Sequence, residues 1–214
     1  VDSIPQAWAY AALGAITATT NDGGIYISDF LSSVDDSGLA IANVFAKEGG
    51  KAPLINGSNQ VVIDFSSNTV GTFDVSITSE GSIVVSTVTA PDAISLNATN
   101  GMILDGNQVS ANLLSRSANL VGGSSVGQQP DPIEISAESI SASTTDGSIF
   151  LTESMVGAFT LIVANGTDQV VEVSSSSSSL KLGTITAGTV AARGNVTVKN
   201  EGGSIVDDNG ATLN

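Results

Sequence analysis

The sequence predicts an all-β fold: a right-handed parallel β-helix, or β-solenoid, built from rungs of about 20–25 residues. Three observations predict it. Short runs alternate apolar with small polar residues almost throughout, Gly, Asn and Asp punctuate them every 8 to 12 residues or so, and one glycine motif recurs at rung spacing.

The alternating runs include "GIYIS" (24–28), "LAIANV" (39–44), "FDVSIT" (73–78), "SIVVSTVT" (82–89), "AISLNA" (93–98), "SIFLT" (148–152), "QVVEVS" (169–174) and "NVTVKN" (195–200). Each reads as a strand with one face to bury. No stretch sustains the 3.6-residue period of a helix. Composition agrees, with 23 Gly, 4% aromatic residues, 13% charged residues and only 2 Met, so residues that favour strands and turns outnumber strong helix formers.

Between the runs lie "DGG" (22–24), "EGG" (48–50), "NG" (56–57, 100–101, 165–166 and 209–210), "DGN" (105–107) and a second "EGG" (201–203). These residues tolerate positive φ and mark tight turns. Such spacing suits a sandwich, a barrel or a solenoid, and repetition separates the three. A Gly, one further residue and then Ile or Val follow one another at Gly23, Gly81, Gly101, Gly147, Gly194 and Gly203. Gly81 to Gly101 is one rung.

A longer echo joins "ITATTNDGGIYISD" (16–29) to "ISASTTDGSIFLTE" (140–153), aligned without a gap at an offset of 124 residues (140 minus 16). This reads as a higher-order unit of several rungs. "NQVVIDFSSN" (59–68) echoes "DQVVEVSSSS" (168–177) in the same way. Residues 1–214 then form a single β-helix segment of roughly nine or ten rungs, on the order of 45 Å long. The opening without Met reads as a piece of a longer repetitive chain.

Two segments interrupt the pattern. "SSVGQQPDP" (124–132) predicts a loop or bulge, because Pro and Gly do not continue a ladder. "SSSSSS" (174–179) reads equally as a flexible loop or as a strand whose serines fill a narrow interior.

The stretches "ITATTNDGGIYISD", "SIVVSTVTAPDAISLNATNGMILDG" and "VGQQPDPIEISAESISASTTDGSIFLTES" resemble the repeat regions of filamentous haemagglutinin-like large exoproteins, bacterial surface adhesins exported by two-partner secretion. The resemblance covers most of the chain. It implies a right-handed parallel β-helix displayed outside the cell, with a role in adhesion. The amino-terminal secretion domain of that family is not visible here, so what the resemblance implies is a shaft.

Charge and chemistry narrow the partners. A net charge of −15 and a pI near 4.1 repel nucleic acid and anionic membranes, and the six basic residues are scattered rather than striped. The apolar segment "AWAYAALGAIT" (7–17) is too short to span a bilayer, so no membrane insertion is expected. Zero Cys and zero His remove disulfides, thiolate metal sites and the commonest general base. No cofactor, metal or catalytic residue is assigned.

The acidic pairs Asp35–Asp36 and Asp207–Asp208 sit in turn contexts, and neighbours on a strand point to opposite faces, so solvated turns explain them. "DGN" (105–107) and "DDNG" (207–210) offer oxygen ligands for calcium, but turn chemistry accounts for them too. Tyr26 and Phe150 occupy equivalent positions in the long echo, flanked by Ile25/Ile27 and Ile149/Leu151. Alternation turns both outward, and they are the candidate contact patch.

The expectation is therefore a non-catalytic shaft of a secreted adhesin, extracellular or at the bacterial cell surface. Its partners would be host-cell or surface glycans or proteins, or neighbouring copies of the same rod. Two rivals are a self-assembling filament subunit and a β-helix polysaccharide lyase or hydrolase. The enzyme would display a cluster of Asp or Glu on one face of consecutive rungs.

Overall fold

In the strand Ala93–Ala98, Ile94, Leu96 and Ala98 turn inward while Ser95 and Asn97 turn out. This period-2 division, repeated strand after strand, gives each segment one apolar face to bury. A computed structural model describes residues 16–19, 24–29, 39–45, 54–55, 61–62, 74–155, 159–166, 170–188 and 193–210, and its architecture is a parallel β-solenoid.

One sheet stacks eight parallel strands: Ile25–Asp29, Asp74–Ser79, Ala93–Ala98, Ser117–Gly122, Ser139–Thr144, Phe159–Gly166, Ser179–Ala187 and Ser204–Asp207. The chain returns between them through a second parallel sheet, which includes Ile16–Thr19, Leu39–Phe45, Ile83–Thr89, Ile149–Glu153, Val170–Ser175 and Asn195–Asn200. Bonds between stacked coils join residues 20, 22 and 24 positions apart, as the predicted rung length requires. Eight levels, rather than nine or ten, stack among the described residues, because the chain between Leu39–Phe45 and Asp74–Ser79 includes an antiparallel hairpin, Leu54–Ile55 with Val61–Val62.

The core lies between the sheets and is organised as columns. Ile77, Leu96, Leu120 and Ala142 stack in register in the first sheet, and Val88, Leu113 and Ile135 stack in the second. All are buried. Each fully buried Ile, Leu or Val contributes about 1.5–3 kcal/mol, and because every column spans successive coils, each coil depends on its neighbours.

The corners explain the glycine motif. A Cβ on Gly147 would lie 1.3 Å from the Ser124 carbonyl oxygen, and one on Gly101 would lie 2.3 Å from the Ser82 nitrogen. Backbones of adjacent coils touch there, so only Gly fits. At the opposite corner Ala90, Ser115, Ala137 and Ser177 are small and buried. Outside that corner, Arg116 lies between Asp92 (4.0 Å) and Glu138 (3.9 Å) of the coils on either side.

The structure corrects the phase of the long echo. Ile16–Thr19 belongs to the second sheet and Ile25–Asp29 to the first, whereas Ser139–Thr144 belongs to the first and Ile149–Glu153 to the second. The two segments are half a coil out of phase, so the echo pairs strands of opposite sheets and does not mark a unit of whole rungs. The second echo pairs hairpin residues Val61–Val62 with a coil strand, Val170–Ser175; residues 63–68 lie outside the described residues.

The serine run resolves as a strand end, a corner and a strand start, with Ser175 and Ser177 buried. Serine does fill a narrow interior here. Of the acidic pairs, Asp207 accepts the Asn209 N–H at 3.0 Å and Asp208 pairs with Lys181 at 3.2 Å, while Asp35–Asp36 and Gly23 lie outside the described residues.

Candidate functional site: two stacked loops and a cleft

Two consecutive coils break the second sheet at the same place. One strand stops at Met102–Asp105, leaves over residues 106–112 and resumes at Leu113–Leu114; on the next coil Ser125–Val126 and Ile133–Ser136 flank residues 127–132. The coil after these is continuous again at Ile149–Glu153. The second excursion is the interruption predicted at 124–132.

Local chemistry dictates both departures. Gly127 adopts φ of +70°, and a Cβ there would lie 2.3 Å from the Phe150 carbonyl oxygen. The first loop is folded by Asp105, whose carboxylate accepts the Asn107 N–H at 2.8 Å and the Gln108 N–H at 2.6 Å. "DGN" is thus a side-chain-capped turn. Gln108 takes a positive φ of 74°, and Val109, at the tip, is 89% exposed.

Asn112 closes that loop and is fully buried. Its side-chain amide donates to the Val85 carbonyl at 2.9 Å and to Asp105 at 2.5 Å, and its side-chain oxygen accepts the Glu134 N–H at 2.8 Å. Its backbone N–H donates to the Glu134 carbonyl at 2.8 Å. Side-chain bonds therefore replace ladder bonds where the strand is interrupted.

Three carboxylates meet around these loops. Burial first, then the charge of Asp105 and a hydrogen bond with it, raise the Asp131 carboxyl above its ordinary range. Glu134 is pushed up to about 7, by burial first and then by the charges of Asp105 and Asp131. Its Oε2 is shielded from water without a hydrogen-bond partner. A carboxyl in this state both holds and releases a proton near neutral pH. Among the described residues no group of three or more His, Cys, Asp or Glu is arranged to hold a metal ion.

Beside the acids lies a cleft of about 330 Å³. Its floor is Phe150, Leu151 and Thr152 of one coil with Glu172 and Ser174 of the next, and its wall is the second loop, through Gln128, Gln129, Pro130 and Pro132. Phe150 pairs in register with Glu172, and Thr152 with Ser174. Gln129 Nε2 donates to Glu172 Oε2, tying wall to floor. Glu134 is in register with Thr152, so the acid that holds its proton lies one strand from the floor.

The two predicted contact residues do not form one patch. Tyr26 lies in the first sheet, 49% exposed between buried Ile25 and Ile27, and Phe150 lies in the second, between buried Ile149 and Leu151. Both turn outward, as alternation requires. They face opposite sides because the echo that paired them is half a coil out of phase. Sequence reasoning missed Asp105, Asp131 and Glu134 as neighbours, although the separation of Asp105 from the other two, a little over one coil, was the available signal.

No protein-family model, curated protein or solved structure matches this chain. No helix among the described residues is long and apolar enough to cross a membrane.

Proposed function

We propose that this chain is the structural shaft of a large secreted bacterial surface adhesin, which holds attachment sites away from the cell and does no chemistry of its own. The observation that supports it is the register of apolar columns through successive coils of the first sheet, which makes a stiff rod from short, chemically plain strands. Many weak contacts presented along a rod sum to firm attachment. Glycans or proteins of the opposing surface are its partners. The test is attachment of beads coated with the purified chain to epithelial cells, against beads coated with an inert protein. Attachment above that background is expected, and equal attachment sinks the reading.

One observation favours a second reading, a polysaccharide hydrolase or lyase: the acids Asp105, Asp131 and Glu134 do gather on one face of consecutive coils. In that reading Glu134 protonates the leaving oxygen of a glycosidic bond. Incubation of the chain with neutral polysaccharides and with a polyuronate such as pectate, followed by a reducing-end assay, decides it. Release of reducing ends that Glu134→Gln abolishes carries the enzyme, and no release from any of them counts against it.

A further inference from the structure

We propose that the cleft between the 127–132 loop and the outward face of the second sheet binds an uncharged sugar residue, with its ring against Phe150. The inference deepens the adhesin reading by placing one of its glycan contacts, and rests on that reading for its biological sense. The cleft joins two kinds of surface a sugar needs. Phe150, Pro130 and Pro132 are apolar and take the C–H face of a pyranose, while Gln128, Thr152 and Glu172 offer amide, hydroxyl and carboxylate groups to its hydroxyls. At about 330 Å³, the space falls at the small end of ligand pockets, roughly 300–1,000 Å³.

The alternation of two adjacent coils supplies this chemistry. Outward positions 150 and 152 on one strand lie in register with 172 and 174 on the next, so ring, hydroxyl and carboxylate are held on rigid elements rather than on a loop. The loop adds only the wall, and Gln129 anchors it to Glu172. Charge selects the ligand class. Glu172 lines the cleft and Glu134 adjoins it through Thr152, while Lys199, in register with Ser174 on the following coil, is paired with Glu201. A sialic acid or uronate would meet the Glu172 carboxylate, with no unpaired cation at the floor among the described residues, whereas a neutral sugar accepts and donates hydrogen bonds there without that repulsion.

The test is an amide NMR titration of the isotope-labelled full chain with cellotetraose, laminaritetraose and maltotetraose, and with sialyllactose as the acidic probe. At least one neutral probe is expected to shift the amides of Gln128, Phe150, Thr152 and Glu172, with a dissociation constant in the millimolar range. Phe150→Leu keeps the packing bulk and removes the ring, and is expected to weaken binding about tenfold or more. Gln128→Ala, on the exposed wall, is expected to weaken it without touching the core. Absence of shifts with all three neutral probes overturns the proposal, as does binding unaffected by both variants or equal binding of sialyllactose. Bead attachment that persists without any cleft shifts leaves the adhesin reading standing and sinks only the cleft; shifts without bead attachment do the reverse.

Discussion

Asn112 and Glu134 exchange two hydrogen bonds across adjacent coils, one from the Glu134 N–H to the Asn112 side-chain oxygen at 2.8 Å and one from the Asn112 N–H to the Glu134 carbonyl at 2.8 Å. The side-chain amide of Asn112 then reaches the other way, to Val85, at 2.9 Å. One buried residue thus joins three coils where the strand leaves the sheet. Asn112→Ala removes both side-chain links and the bond to Asp105, and leaves the Glu134 N–H without its side-chain acceptor. A loss of about 2–4 kcal/mol is expected in urea unfolding. Asn112→Asp is expected to do no better, since it turns a carboxylate oxygen toward the Val85 carbonyl and Asp105. Variants that both unfold at the wild-type midpoint would show that the loop closes without this residue.

The glycine corners give a second expectation. Gly147→Ala places a methyl 1.3 Å from the Ser124 carbonyl oxygen, and neither backbone retreats without breaking the ladder between coils. A cost above about 3 kcal/mol, or failure to fold, is expected. Gly210→Ala is the contrast: nothing lies within 4 Å of its Cβ position, but φ of +66° is left-handed. That change is expected to cost about 1 kcal/mol. Comparable midpoints for the two variants would contradict close coil approach as the reason for Gly147.

How much of this was legible beforehand depends on which physical signal each part leaves in the chain. Alternation in "AISLNA" and "SIFLT" states the strand period and the buried face outright, so Leu96 and Leu151 were readable as core. Pro130 and Pro132 announced the 127–132 loop. Asn112 left no such mark, since a loop asparagine destined for full burial looks like any turn residue until its partners on two other coils are known. The phase of the long echo was hidden for a related reason. Close backbone approach demands glycine at Gly101 and Gly147, where the second sheet follows, and at Gly203, where the first does, so a glycine does not say which sheet comes next.

The pH dependence of stability follows from Glu134. Its carboxyl titrates at about 7 in the folded chain against 4.5 ordinarily, so the folded state holds this proton more tightly than the unfolded state. The stability this group allows is fully present below about pH 4.5 and is lost as pH rises through about 7. Because Glu134 is only partly buried, solvent screening reduces the effect to about 1 kcal/mol. Asp131, raised in part by the same Asp105 charge, acts in the same direction. Glu134→Gln is expected to flatten the fall between pH 4.5 and 7 relative to wild type, measured as the difference in urea midpoints across that window. Parallel pH profiles for the two proteins would remove Glu134 from the account.

Glu153 poses the sharpest test of how the core is organised. It follows Val88, Leu113 and Ile135 in one inward column and precedes Ser175, yet it is 1% exposed. Its Oε2 accepts the Ser175 hydroxyl at 2.7 Å, its Oε1 accepts the Met155 N–H, and Ser175 and Ser177 share a further bond at 2.9 Å. The column therefore passes from apolar packing to a polar cluster within one coil. Glu153→Leu would extend the apolar column but deprive Ser175 and the Met155 N–H of their acceptor, at an expected cost of about 2–3 kcal/mol. Adding Ser175→Val and Ser177→Ala removes the hydroxyl left without that acceptor and the one bonded to it, and although the Ser177 N–H then loses its 3.0 Å bond to Ser175 Oγ, replacing polar partners together is less costly than removing one. The triple variant is expected to unfold at higher urea than Glu153→Leu alone. Costs that simply add across the three positions would mean that the serines are not coupled to Glu153, and that the carboxylate is held through its other contacts.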